Sequence, residues 1–189
     1  MDTPRAPTVP NAGFRPARLP YHLLAILLAL AGGVAGIFGA FIEELRTGGG
    51  LLLIFLGAPI IEEALKPTGV YLLLIRWPQL VRSQLYTAFL AALGGLTFGL
   101  VEAFVYVTLY VPDHSEGFLV YRFTAPLLLH TAASFIVGLG INRGIIDWVA
   151  GRSSLPRRSR NLYIAAVTLH AVFNLVAVIL TLAGPLDVD

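Results

Sequence analysis

Residues 51–75 read LLLIFLGAPIIEEALKPTGVYLLLI, an apolar run that carries Glu62, Glu63 and Lys66 at its middle, with Pro59 and Pro67 on either side of them. About 20 apolar residues cross a bilayer core as a helix, so this run is long enough to span. The charges inside it decide what kind of bundle it belongs to. An ionisable group at membrane depth costs about 2.5–3.5 kcal/mol on insertion scales, and such groups are as a rule functional. Lys66 follows the two glutamates by three and four positions, so on a helix it can pair with either. Pro67 has no N–H and frees the carbonyl four residues earlier, that of Glu63. A broken helix at this depth is tolerated only where protein buries it or where it lines a wet cavity.

Outward from this run, Tyr21–Ile42, Leu85–Val111, Arg122–Ile141 and Leu162–Ala183 are also long and apolar enough to span. Together they predict an all-α fold, a polytopic membrane helix bundle of five transmembrane spans. Composition points the same way: of 189 residues, 57% are hydrophobic and only 13% charged, against about a quarter charged in a soluble domain. An ordinary cytosolic globule, a disordered chain and a nucleic-acid module are thereby excluded, and the lipid bilayer is the first partner. The chain has no cysteine, which removes disulfides, zinc–thiolate sites and a cysteine nucleophile. The expected organisation is a proline-rich cytoplasmic tail over 1–20, a membrane-embedded domain over 21–183, and a short outer tail over 184–189.

Charge sets the orientation. Arg5, Arg15, Arg18, Arg76, Arg82, Arg143, Arg152, Arg157, Arg158 and Arg160, ten of the 13 basic residues, fall on one side of a five-span layout. The other side holds Arg46 and Arg122 and collects Glu43, Glu44, Asp113, Glu116, Asp187 and Asp189. By the positive-inside rule the amino terminus is cytoplasmic and the carboxyl terminus outside. Small residues four apart (Gly32 and Gly36, Ala35 and Gly39, Gly95 and Gly99) predict close helix approach.

Every span after the first carries a polar group that lipid would reject: Glu62, Glu63 and Lys66, then Glu102, then His130, then His170 with Asn174 one turn on. At about 1.5 Å per residue, Glu62 lies about 16 Å below its outer span end, Glu102 and Asn174 about 14 Å, His130 about 10 Å and His170 about 20 Å. Helices of alternating direction thus bring these groups to one layer in the outer half of the membrane, which predicts a single site. Singly, each has a plain structural reading, as a buried ion pair, a core histidine or an asparagine joining helices. Jointly they suit hydrolysis of a peptide bond. Glu62 or Glu63 takes a proton from water and the other pairs with Lys66. Glu63 is the expected partner if Pro67 unwinds that turn, which leaves Glu62 facing the cavity. His130 orients the water, and His170 with Asn174 donates to the oxyanion. Alternatively Glu102, His130 and His170 form the two-imidazole, one-carboxylate set of a catalytic zinc ion.

The series Glu62-Glu63-x-x-Lys66, Phe98-x-x-x-Glu102, His130 and His170-x-x-x-Asn174 resembles the motifs of the PrsW-type intramembrane proteases. These are grouped with the CAAX-prenyl-protease and bacteriocin-processing (CPBP, Abi) superfamily. The chain departs from the CAAX branch, which has an arginine one residue beyond the position of Lys66 and a histidine in place of Glu102. The resemblance implies cleavage of a membrane-anchored protein near the outer face of a prokaryotic cell membrane, as in the first cut that releases an anti-sigma factor. It is compatible with either a glutamate or a metal mechanism.

Two other functions fit part of the pattern. A proton- or ion-coupled transporter also keeps carboxylates and histidines in its spans, but the chain lacks the internal repeat common in that class. A CAAX-type prenyl-protein protease would share the site, less the two departures just given.

Overall fold

In the computed structural model, which describes residues 19–47, 50 and 53–183, the chain is a bundle of helices with no strand among the described residues. The expected tails lie largely outside these residues, at 1–18 and 184–189. The first helix, α1, runs Leu19–Thr47. A π-helical turn at Leu53–Gly57 leads into α2, Ala58–Leu65, and α3, Thr68–Arg76. After a 3₁₀ turn, α4 covers Gln84–Val105 and continues as a π-helical segment, Tyr106–Tyr110. Then come α5, Glu116–Arg122, and α6, Ala125–Gly138, followed by a short α7, Gly144–Val149, and finally α8, Arg157–Leu182. Hydroxyl caps start two of these: Tyr86 N donates to Ser83 Oγ ahead of α4, and Phe118 N to Ser115 Oγ ahead of α5, both at 3.1 Å. Each meets an amide that the first helical turn leaves without a partner.

Four helical stretches among the described residues are long and apolar enough to cross a membrane: Pro20–Ile42, Gln84–Tyr110, Glu116–Gly138 and Arg157–Leu182. They correspond to four of the five expected spans. The fifth, 51–75, is not one helix. It breaks at Lys66–Pro67 into α2 and α3, because the proline cannot donate to the Glu63 carbonyl and its ring crowds the preceding turn. The fourth begins earlier than its apolar run, since α5 precedes α6 and joins it through Phe123 and Thr124. The last begins at Arg157, whose long side chain, like those of Arg158 and Arg160, can reach the interface from within a helix.

Packing runs through α4, which lies against α1 on one side and α6 on the other, with α8 on α6 and α3 on α1. Small residues make these approaches possible. A Cβ at Gly69 would overlap the Leu28 carbonyl of α1, and one at Gly33 the Gly94 carbonyl of α4. At Gly95 it would overlap the carbonyl of His130. Gly36 and Gly39 of α1 meet Leu65 at the end of α2, so the α1 stripe of small residues holds the break itself. A buried cluster of Ala25, Ala29, Val70, Leu73, Leu90 and Val137 fills the middle. The outside is apolar as well: Leu27 is 64% exposed, Phe104 61% and Leu128 70%. With polar groups buried and large apolar ones outermost, the molecule is built for a lipid solvent.

Candidate active site

Glu62 and Glu63 sit in the last turn of α2, where a helix nearly ends and the ladder beyond it is interrupted. The Lys66 amide still bonds back to the Glu62 carbonyl at 2.9 Å, and Thr68 Oγ1 donates to the Leu65 carbonyl. These local bonds carry the chain round the proline and hold Lys66 inward rather than along a helix surface. Its ammonium is fully buried, over the Phe98 ring at 4.6 Å from the centroid. Nζ reaches Glu63 Oε1 at 2.6 Å and Glu62 Oε2 at 3.3 Å. Lys66 thus binds Glu63 more closely, and Glu63 is wholly buried while Glu62 faces a cavity.

Two imidazoles close on Glu62 from other helices. His170 of α8 approaches with Nε2 3.8 Å from Glu62 Oε2 and Nδ1 2.8 Å from Glu63 Oε1. A carboxylate oxygen accepts, so Nδ1 carries the proton and Nε2 keeps its lone pair toward Glu62. His130 of α6 is arranged in the opposite sense. Its Nε2 donates to Glu102 Oε2 at 2.9 Å, and its Nδ1 lies 2.7 Å from Lys66 Nζ and 4.0 Å from Glu62 Oε2. The ammonium can only donate, so Nδ1 is the lone-pair nitrogen. The rings meet edge to face, centroids 5.1 Å apart. Each imidazole therefore has a carboxylate behind it; in front, the His170 Nε2 lone pair faces Glu62, and the His130 Nδ1 lone pair accepts from Lys66 on the same side.

Glu62, His130 and His170 each offer a ligand atom, and these atoms lie within 4.8 Å of one another. Glu62 Oε2 is buried and accepts no hydrogen bond, an acceptor left over for a cation. Two neutral imidazoles and a carboxylate, each ring fixed by an outer carboxylate, are the donor chemistry of a catalytic zinc site. The residues fit a metal. The membership of the set differs from the sequence expectation of Glu102, His130 and His170. Glu102 stands behind His130 on its Nε2 side, so Glu62 takes its place.

These groups lie at one end of a cavity of ≈ 690 Å³. Glu62, Glu102, His130, His170 and Asn174 all line it, and its walls extend to Phe41, Tyr110 and Thr181 near the carboxyl-terminal ends of α1, the α4 extension and α8. Most of the wall is aliphatic or aromatic. Sequence reasoning missed Arg122, which it counted as an outer-side charge. The fold buries it to 9% exposure, 3.0 Å from Glu102 Oε2 through Nη2, with the guanidinium 3.7 Å above the Tyr106 ring. The available signal was spacing: Arg122 comes eight residues before His130, at the edge of an apolar run where a solvent-facing arginine and a site arginine look alike.

No match was found among curated proteins or among solved structures. A family model described as PrsW family intramembrane metalloprotease matches residues 20–186. That match takes in the whole bundle and every residue around the cavity, and the chain belongs to the PrsW family of intramembrane metalloproteases.

Proposed function

We propose that this metalloprotease cuts a membrane-anchored protein near the outer face of the membrane, in the manner of a first cleavage that frees an anti-sigma factor. The observation that carries the reading is the cavity, with Glu62, His130 and His170 at one end and its walls extending to the carboxyl-terminal ends of α1 and α8. The distribution of basic residues makes those ends extracytoplasmic: the amino terminus lies inside, α2 and α3 cross as two half-helices, and the carboxyl terminus emerges outside. The apolar walls suit an unwound stretch of a transmembrane or juxtamembrane segment better than a polar peptide. Lys66 and Glu102, at the two positions where the CAAX branch differs, favour a substrate other than a prenylated protein. Family membership in a protease class leaves the transporter reading without support.

Glu62, His130 and His170 are the residues to hold a divalent cation, with zinc the ion that best matches the donors. When bound, such an ion polarises the scissile carbonyl and lowers the pKa of a water. Glu62 is the carboxylate of its pair that lines the cavity, so it is also the group placed to take a proton from water there. Glu63, fully buried between Lys66 and His170, orients both. Glu102 fixes His130, and Asn174 offers an amide to the oxyanion as the carbonyl carbon becomes tetrahedral. The proton taken from water is then returned to the departing amine.

The test is a cleavage assay in detergent on a single-pass protein with an outer domain, with the cut mapped by mass spectrometry. Expected are one cut in the outer half of the segment, loss on chelation with 1,10-phenanthroline and recovery on adding zinc. A cut on the cytoplasmic side, or activity indifferent to the chelator, overturns this reading.

A further inference from the structure

We propose that Arg122 is a positioning residue for His130, acting through Glu102. It rests on the reading of His130 as a metal-holding residue and assigns a role to a side chain that the reading does not use. Glu102 Oε2 takes two bonds, from His130 Nε2 at 2.9 Å and from Arg122 Nη2 at 3.0 Å. Both donors belong to one stretch of chain. Arg122 closes α5, His130 lies in the second turn of α6, and the two-residue turn at Phe123 and Thr124 joins them within one helical stretch, Glu116–Gly138. The carboxylate of α4 is thus held from both sides. Tyr106, one turn beyond Glu102, supports the guanidinium from below.

The consequence falls on the imidazole. With Glu102 fixed at Nε2, the ring proton stays on that nitrogen, and the lone pair of Nδ1 points toward Glu62 and Lys66. Without Arg122 the Glu102 carboxylate is free to turn into the adjoining cavity, and the ring of His130 keeps only its Nδ1 contact with Lys66. A ring that swings on that one contact no longer holds its lone pair toward a cation at Glu62. Arg122 Nε is buried and makes no hydrogen bond, a cost of burial retained along with the contact to Glu102. A guanidinium needed only to cancel charge would not require the ring stack and the shared oxygen. An arginine makes this planar, stacked contact where lysine supplies only a point charge.

The experiment uses the full chain in detergent micelles, labelled with ¹⁵N-histidine, with zinc binding measured by calorimetry. The wild-type chain should show His130 as the Nε2–H tautomer and His170 as the Nδ1–H tautomer. Arg122→Gln should shift and broaden the ring resonances of His130, leave those of His170 unchanged and weaken zinc binding by about 10–100-fold, the range for loss of a partner behind a metal-holding histidine. Arg122→Lys should recover part of the affinity, and it carries the test if the glutamine variant does not fold. In a Glu102→Gln background, Arg122→Gln should weaken zinc binding no further, because it acts through the residue already removed. Unchanged His130 ring resonances and unchanged zinc affinity, with only a lower melting temperature, would reduce Arg122 to a structural ion pair and overturn the proposal. Additive losses in the double variant would overturn it too. If the wild-type chain binds no zinc, the metal reading of the site fails by itself, and the His130 ring resonances alone decide on Arg122.

Discussion

At the scale of single residues, three carboxylates that the bundle gathers have been given three different surroundings. Glu63 is enclosed by Lys66 and His170, Glu102 by His130 and Arg122, and Glu62 faces the cavity with an acceptor oxygen to spare. Glu62→Gln keeps the shape and removes the negative charge, so it should abolish cleavage while leaving the helical circular dichroism spectrum unchanged; cleavage at the wild-type rate would count against the site. Asn174→Ala removes one donor to the oxyanion and should leave a measurable rate, lowered by about 10²–10³. Lys66→Met strands two buried carboxylates, and breaking a buried pair costs about 3–5 kcal/mol. Thermal unfolding in detergent should show that loss, and Glu63→Gln added to Lys66→Met should recover part of it. A single variant as stable as the wild type would contradict the pairing. The sequence named the polar residues that the fold gathers, since each is out of place in an apolar run. It expected Glu102, where the fold has Glu62, as the carboxylate in front of the two histidines. Which of them stands there depends on how α2 ends, over a distance shorter than one helical turn.

At the scale of elements, the decisive feature is a helix that stops inside the bundle and is held there by its neighbour. Pro67 explains the stop, and the proline was readable in the run 51–75 as a break. The support was readable only in part. The small-residue stripe of α1 announces a close contact but not its partner, which proves to be the end of α2 and the start of α3. Gly69→Ala should test this contact, because its Cβ would collide with the backbone carbonyl of Leu28, and backbone cannot rotate aside. A loss of about 1–3 kcal/mol is expected, as for overpacking in a filled core. Gly117→Ala is the matched control: in α5 its Cβ would meet only Ser115 Oγ, at 3.7 Å, and the change should be neutral or favourable. Equal losses at both positions would show that the α1 contact has no special weight. Arg122 escaped the sequence for a related reason. A short helix such as α5 shows too little periodicity to reveal which way its last residue turns.

For the whole molecule, the uneven distribution of arginines predicts an amino terminus inside and a carboxyl terminus outside. A phosphatase reporter fused after Asp189 should be active only in the extracytoplasmic compartment; activity confined to the cytoplasm would reverse the layout and put the cavity mouth on the wrong side. The charge pattern was legible because it is a count over loops and needs no knowledge of packing. The interruption of one span was less so, because a hydropathy window averages across Lys66 and Pro67. Those two residues also bear on how the chain is made. During synthesis the spans leave the insertion machinery in order, and a charged segment entering lipid alone is held back by its insertion cost. Glu62 and Glu63 travel with Lys66 one turn away on the same short segment, so their cation arrives with them. Glu102 waits twenty residues for Arg122, so α4 leaves the insertion machinery before the cation that partners its carboxylate has been made.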